Sequence, residues 1–243
     1  MIIGGLQPVS LLDYPDKISA IVFTQGCNFH CRYCYNPMLV RPATVGVTNT
    51  TGQPVYSLAD LWAFLDQRQD RLEAVVVTGG EPTLHHDLPE FITEIKRRGL
   101  LVKLDTNGTA SQMVKQLVQD GLIDYLAMDI KAPWNKYDQI MPLPADILSR
   151  LTAEAKITAE WLLTDQPLDY EFRTTVVPQL LSAADISLLA EQLIGARSWY
   201  LQKARLAGDL LDPSLVGQRV YTDAEMVELL AIAKAKVPTA QIR

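Results

Sequence analysis

Short apolar runs, most of them rich in β-branched residues, alternate along this chain with longer segments that carry apolar residues at helical spacing. That is the pattern of a parallel sheet built from βαβ units. It predicts strands over residues 17–25, 74–78, 101–105, 125–130, 170–177 and 198–203. The helices expected between them are 58–67, 88–98, 110–119, 145–163 and 184–193. Six strand and helix units fit a partial α/β barrel, read as a single domain: an N-terminal segment over 1–17, a barrel core over 18–205 and a helical extension over 206–243. Two stretches interrupt the alternation. Residues 41–56, rich in Thr, Gly and Pro, read as a surface loop, and 133–144, with three prolines around Trp134 and Tyr137, as a long βα loop. There is no internal repeat and no low-complexity tract.

Polar residues fall on the strands in a way that a plain core does not require. Residues two apart on a strand share a face, so Lys103 goes with Asp105, Asp129 with Lys131, and Glu171 with Arg173 and Thr175. Each group lies near the end of an otherwise apolar strand, and barrel active sites assemble at that rim. Any one pair taken alone reads equally well as a structural ion pair; three at equivalent strand ends favour a common site. Directly after the second strand comes Thr78-Gly79-Gly80-Glu81-Pro82. Its glycines would let backbone groups approach a ligand, although an ordinary strand-to-helix turn uses the same residues. Residues 105–109, Asp-Thr-Asn-Gly-Thr, also suit a turn and helix cap.

Composition narrows the function classes. The chain has 243 residues and a net charge of -6, with Lys and Arg scattered and no basic stripe, which argues against a general nucleic-acid binder. No apolar run reaches membrane-spanning length, and Met1-Ile2-Ile3-Gly4-Gly5 lacks the charged and apolar regions of a secretory signal. A cytoplasmic protein with no membrane partner is expected. Its three cysteines, Cys27, Cys31 and Cys34, fall within eight residues. An odd count in a reducing compartment argues against a disulfide framework. The spacing suits a 4Fe-4S cluster with three thiolate ligands and one iron left open to a ligand from solution, for which S-adenosylmethionine is the leading candidate. Two plainer readings stay open: incidental buried thiols, or a zinc site, which needs a fourth ligand that His30 is awkwardly placed to supply.

Taken together, the cysteine spacing, Gly79-Gly80-Glu81-Pro82, Leu104-Asp105-Thr106-Asn107-Gly108 and Met128-Asp129-Ile130-Lys131 resemble the radical S-adenosylmethionine (SAM) superfamily. The opening, from Ile3-Gly4-Gly5-Leu6-Gln7 through Leu12-Asp13-Tyr14-Pro15 to Phe23-Thr24-Gln25-Gly26-Cys27-Asn28-Phe29, is similar to the glycyl-radical-enzyme activases that serve anaerobic ribonucleoside-triphosphate reductase. The likeness is strong up to about Lys131 and weaker beyond it. Tyr35 stands where these activases usually have histidine, and residues 41–56 hold no cysteines of an extra ferredoxin-like insert.

The resemblance implies a partial (β/α)6 barrel of the radical SAM type, with one 4Fe-4S cluster held by Cys27, Cys31 and Cys34. It implies reductive cleavage of S-adenosylmethionine to a 5′-deoxyadenosyl radical that takes a hydrogen atom from a glycine of a partner, with reduced flavodoxin or ferredoxin as donor. Gly79, Gly80 and Glu81 would border the methionine amino group. Asp105, Thr106 and Asp129 resemble residues that hold the ligand's charged end together with a monovalent cation, and Lys131 and Arg173 are candidates for its carboxylate. Gln202 would face adenosine, and Asp13 would lie near the substrate peptide. The competing expectations are a radical SAM enzyme acting on a small molecule, such as a deazapurine synthase, and a noncatalytic iron-sulfur or zinc scaffold.

Overall fold

The computed structural model of the protein describes residues 1–40, 56–164 and 166–243. Its elements in chain order are β1 (Ile3–Ser10), β2 (Ser19–Thr24), α1 (Pro37–Val40), α2 (Leu58–Asp66), β3 (Ala74–Gly79), α3 (Leu88–Lys96), β4 (Leu101–Thr106) and α4 (Ser111–Gln119). There follow β5 (Tyr125–Asp129), α5 (Tyr137–Ile140), α6 (Ala145–Leu162), β6 (Asp169–Val176), α7 (Ala183–Gln192), β7 (Trp199–Lys203), α8 (Asp223–Lys234) and β8 (Ala240–Ile242). The hydrogen-bonded strand order follows the chain, β1 to β8. Contacts divide the chain into two compact units: Met1–Phe29, Met38–Thr106 and Gln112–Leu126 in the first, His30–Pro37, Asn107–Ser111 and Ala127–Arg243 in the second.

In the first unit β1 lies antiparallel to β2, and β2, β3 and β4 run parallel. Ala20, Val22, Val75, Val77, Val102 and Leu104 are fully buried on one face. On the other, Ile21, Ala74 and Val76 pack with Tyr14, Phe23, Leu101 and Tyr125. Burial on both faces explains why these strands read as continuous apolar runs rather than as an alternation. Strand periodicity then puts Lys103 and Asp105 on the same face as Leu101, above the Tyr14 and Tyr125 rings, whose centroids are 5.9 Å apart.

In the second unit β6, β7 and β8 run parallel, in a register that sets Phe172 opposite Trp199 and Thr175 opposite Gln202. Trp199 is fully buried, and its indole donates to Thr174 Oγ1 at 3.0 Å. Helices α7 and α8 both begin in reciprocal capping boxes, Ser182 with Asp185 and Thr222 with Glu225. Each such cap satisfies two orphan amides and adds about 1 kcal/mol.

The six expected strands and five expected helices are all present to within about two residues at their ends. Two strands went unread. β1 carries Gly4, Gly5 and Pro8, which mask a strand pattern, and β8 has only three residues. The stretch 133–144 is not bare loop: it holds a 3₁₀ turn, Trp134–Lys136, and the short helix α5. The loop expected over 41–56 lies outside the described residues except for Tyr56, which bridges to Ile3.

Candidate active site

In the first unit the candidate residues lie where β2 and β3 end. Thr24 and Gly79 are register partners, and Thr24 Oγ1 donates to the Thr78 carbonyl at 3.0 Å. Beyond them the chain is laced by backbone bonds: Gly80 N to Thr24 O at 2.9 Å, Glu81 N to Gly26 O at 2.8 Å, Gly26 N to Leu39 O at 2.7 Å and Cys27 N to Val40 O at 3.3 Å. The Gly79-Gly80-Glu81 turn is thus stitched to the arm that carries Cys27. Both glycines are required sterically. Gly79 has a φ of 117°, and a Cβ on Gly80 would fall inside the Gly26 carbonyl, 2.6 Å from its carbon.

Glu81 is 1% exposed, and its Oε1 accepts from Thr83 N at 3.1 Å, Thr83 Oγ1 at 2.6 Å and Thr106 Oγ1 at 2.7 Å. The buried Lys103 places Nζ 2.7 Å from Asp105 Oδ1 and 5.8 Å from the centre of the Tyr125 ring. Asp13 accepts from Ser10 Oγ, in a turn that leaves Leu11 and Leu12 exposed. One contact had no signal in the sequence. His85 Nε2 sits 2.9 Å from the Gln25 carbonyl, which can only accept, so this nitrogen carries the proton. Burial pushes the His85 pKa down, so the ring is neutral at pH 7.

The second unit holds Cys31, Cys34, Asp129, Lys131 and Arg173. Asp129, the last residue of β5, takes Lys131 Nζ on Oδ2 at 2.8 Å and Arg173 Nε on Oδ1 at 2.9 Å. Burial works against the Asp129 carboxylate, but Arg173 and Lys131 outweigh it and hold its pKa well below the usual range. Burial likewise opposes the Lys131 ammonium, and Asp129 more than compensates, so its pKa is raised. The expected Asp129–Lys131 pair is therefore made, as is Lys103–Asp105. The third group is distributed differently: the fully buried Glu171 takes a bidentate grip from Arg243 at 2.9 and 3.2 Å, while Arg173 reaches Asp129 on the adjacent strand.

Cys31 is buried, which pushes its thiol pKa up to about 11 against the opposing pull of Lys131. Burial also raises Cys34. Tyr33 and Tyr137 are buried phenols held protonated in the same surroundings, and Tyr137 Oη accepts from Lys131 N at 3.3 Å. Gln202 is half-buried on β7, opposite Thr175. His30 is exposed.

The donor set fits an iron-sulfur cluster. All three cysteines are free thiols, and a thiol resting as S–H loses its proton on meeting iron, whose positive charge stabilises the thiolate. Among the described residues no three His, Cys, Asp or Glu side chains lie close enough to share one ion; a cubane cluster takes each thiolate on a different iron. The chain has no fourth cysteine to close such a cluster.

Three closely spaced cysteines in an α/β chain with charged residues at its strand ends are the marks of the radical SAM class. The match to the Radical SAM superfamily, over residues 21–153, shows that this chain belongs to it. With that membership come a 4Fe-4S cluster and S-adenosylmethionine as cofactors. A Methanocaldococcus jannaschii protein provisionally named a glycyl-radical enzyme activating enzyme is 30% identical over 243 residues, covering 100% of this chain and 95% of its own. The 7-carboxy-7-deazaguanine synthase of Geobacter sulfurreducens is 29% identical over 120 residues, 45% of this chain and 47% of its own. Among solved structures, Streptococcus suis SuiB bound to S-adenosylmethionine superposes with a TM-score of 0.66 at 13% identity, over 92% of this chain and 49% of SuiB. That likeness shows the fold, the partial α/β barrel read from the sequence. Among the described residues no helix is long and apolar enough to cross a membrane.

Proposed function

We propose that this protein is a glycyl-radical-enzyme activase. The observation that carries the proposal is the full-length identity to the M. jannaschii protein, since the synthase match spans less than half of either chain. The expected partner is an anaerobic ribonucleotide reductase, with reduced flavodoxin or ferredoxin as the electron donor and the cytoplasm as the setting.

When bound, the reduced cluster and S-adenosylmethionine supply a 5′-deoxyadenosyl radical able to take a hydrogen atom from a glycine Cα. This chain's residues hold and orient them. Cys27, Cys31 and Cys34 would carry the cluster, and Gly79, Gly80 and Glu81 would border the ligand's amino group. Asp129 set between Lys131 and Arg173 gives a trio with one net positive charge, complementary to a ligand carboxylate. Asp105 and Thr106 would hold the same charged end, together with a monovalent cation. We assign Gln202 to the adenosine side and Asp13 to the incoming peptide.

A peptide spanning the partner's glycine loop, deuterated at the glycine Cα, tests the reading. Transfer of deuterium into 5′-deoxyadenosine is the expected result. Cleavage of S-adenosylmethionine without transfer, alongside turnover of a deazapurine precursor, would favour the synthase reading that the Geobacter match supports.

A further inference from the structure

The segment after β7 has no role in the account so far, yet it grips the cysteine loop. Residues 206–217 close on themselves through Gly217 N to Leu206 O at 2.8 Å, and Leu206, Leu210 and Leu215 are buried. This is a compact loop that holds its own shape, with ends together and apolar side chains packed beneath. From it Leu211 N donates to the Cys34 carbonyl at 2.9 Å and Asp212 N to the Arg32 carbonyl at 2.9 Å. Arg32 Nε reaches back to Asp212 Oδ2 at 2.7 Å, and Asp212 Oδ1 is fixed in turn by Ser214 N at 2.9 Å. On its other side Arg32 N donates to Ile140 O at 3.0 Å.

The contacts fall on Arg32 and Cys34, the first directly after Cys31 and the second itself one of the three cysteines. Main-chain bonds to both the Arg32 and Cys34 carbonyls fix the direction of the chain there, and a thiolate's position follows from its backbone. A loop that served only to fill space would not need a charge pair and two backbone bonds aimed at residues 32 and 34.

We infer that residues 206–217 form a positioning strap for the cluster loop, locked by the Arg32–Asp212 pair. The inference rests on the reading of the three cysteines as cluster ligands. The strap sets how firmly the cluster is held, and its two charges offset one another at the cluster's edge. Removing Arg32 leaves a carboxylate there and disfavours the reduced, more negative cluster; removing Asp212 leaves a guanidinium and favours it.

The experiment uses anaerobically reconstituted holoprotein carrying Arg32→Gln, Asp212→Asn, or the exchange Arg32→Asp with Asp212→Arg. Loss of iron to a ferrous chelator, the cluster's reduction potential and the melting temperature are measured for each. Expected are several-fold faster iron loss in both single variants, recovery in the exchange, and potentials that move in opposite directions, down for Arg32→Gln and up for Asp212→Asn. Iron retention equal to the parent protein in both single variants overturns the inference. So do potentials that shift in the same direction, or iron loss that only follows a fall in melting temperature and is not recovered by the exchange. Parent protein that takes up no 4Fe-4S cluster overturns the cluster reading itself, and the strap inference with it.

Discussion

Replacing Asp129 by Asn leaves Lys131 and Arg173 facing each other without the anion that now joins them. Each of the two charge-assisted bonds is worth about 1.5 to 3 kcal/mol. Two corrections lower the sum. The amide oxygen can still serve one donor, and the Asp129 side chain, 26% exposed, keeps part of its hydration. The net loss is therefore about 2 to 3 kcal/mol of folding stability at pH 7. With a urea m-value near 3 kcal/mol/M for a chain of this size, the unfolding midpoint falls by about 1 M.

Tryptophan fluorescence reads this change, because Trp134, Trp161 and the fully buried Trp199 belong to the same unit as Asp129. The pH dependence gives a second check. The folded pKa of Asp129 lies below its unfolded value of about 3.9, so its contribution is complete above that pH and fades as the pH falls toward the folded value. The gap between parent and variant should accordingly narrow below about pH 4. Equal midpoints at pH 7, or a gap that stays constant into acid, would refute the reasoning.

Cys31→Ala is expected to abolish the visible absorption of the reconstituted cluster, checked with iron and sulfide analysis; retention of a stable four-thiolate site or of tightly bound zinc would count against the assignment. Gly80→Ala drives a Cβ into the Gly26 carbonyl and should lower stability by about 3 kcal/mol or more, seen as a fall in melting temperature. Lys131→Ala should weaken S-adenosylmethionine binding by about 1 to 3 kcal/mol, roughly thirtyfold at the middle of that range, in calorimetry on the holoprotein.

The barrel strands were legible because burial on both faces leaves long β-branched runs such as Val75-Val76-Val77. The Lys103–Asp105 and Asp129–Lys131 pairs were legible because these residues break those runs with charge at spacing two. Partners across strands were not. Arg173 pairs with Asp129 and Glu171 with Arg243, choices set by which strands lie side by side and where the chain's last helix and strand return. The same limit hid the His85 bond to Gln25 and the strap on residues 32 and 34, since both join segments far apart in sequence, largely through backbone carbonyls that carry no side-chain signature. Gly79 and Gly80 read equally well as turn residues, and the sequence gives no sign of their close approach to Thr24 and Gly26, which requires glycine at both positions.

The most direct test of the activase assignment is electron paramagnetic resonance on the reduced protein incubated with S-adenosylmethionine and an anaerobic ribonucleotide reductase. The account requires a glycyl radical on the reductase, whose Cα-hydrogen splitting collapses when the glycine is deuterated. S-adenosylmethionine cleaved at a comparable rate with no radical on the reductase or any other glycyl-radical enzyme would contradict it.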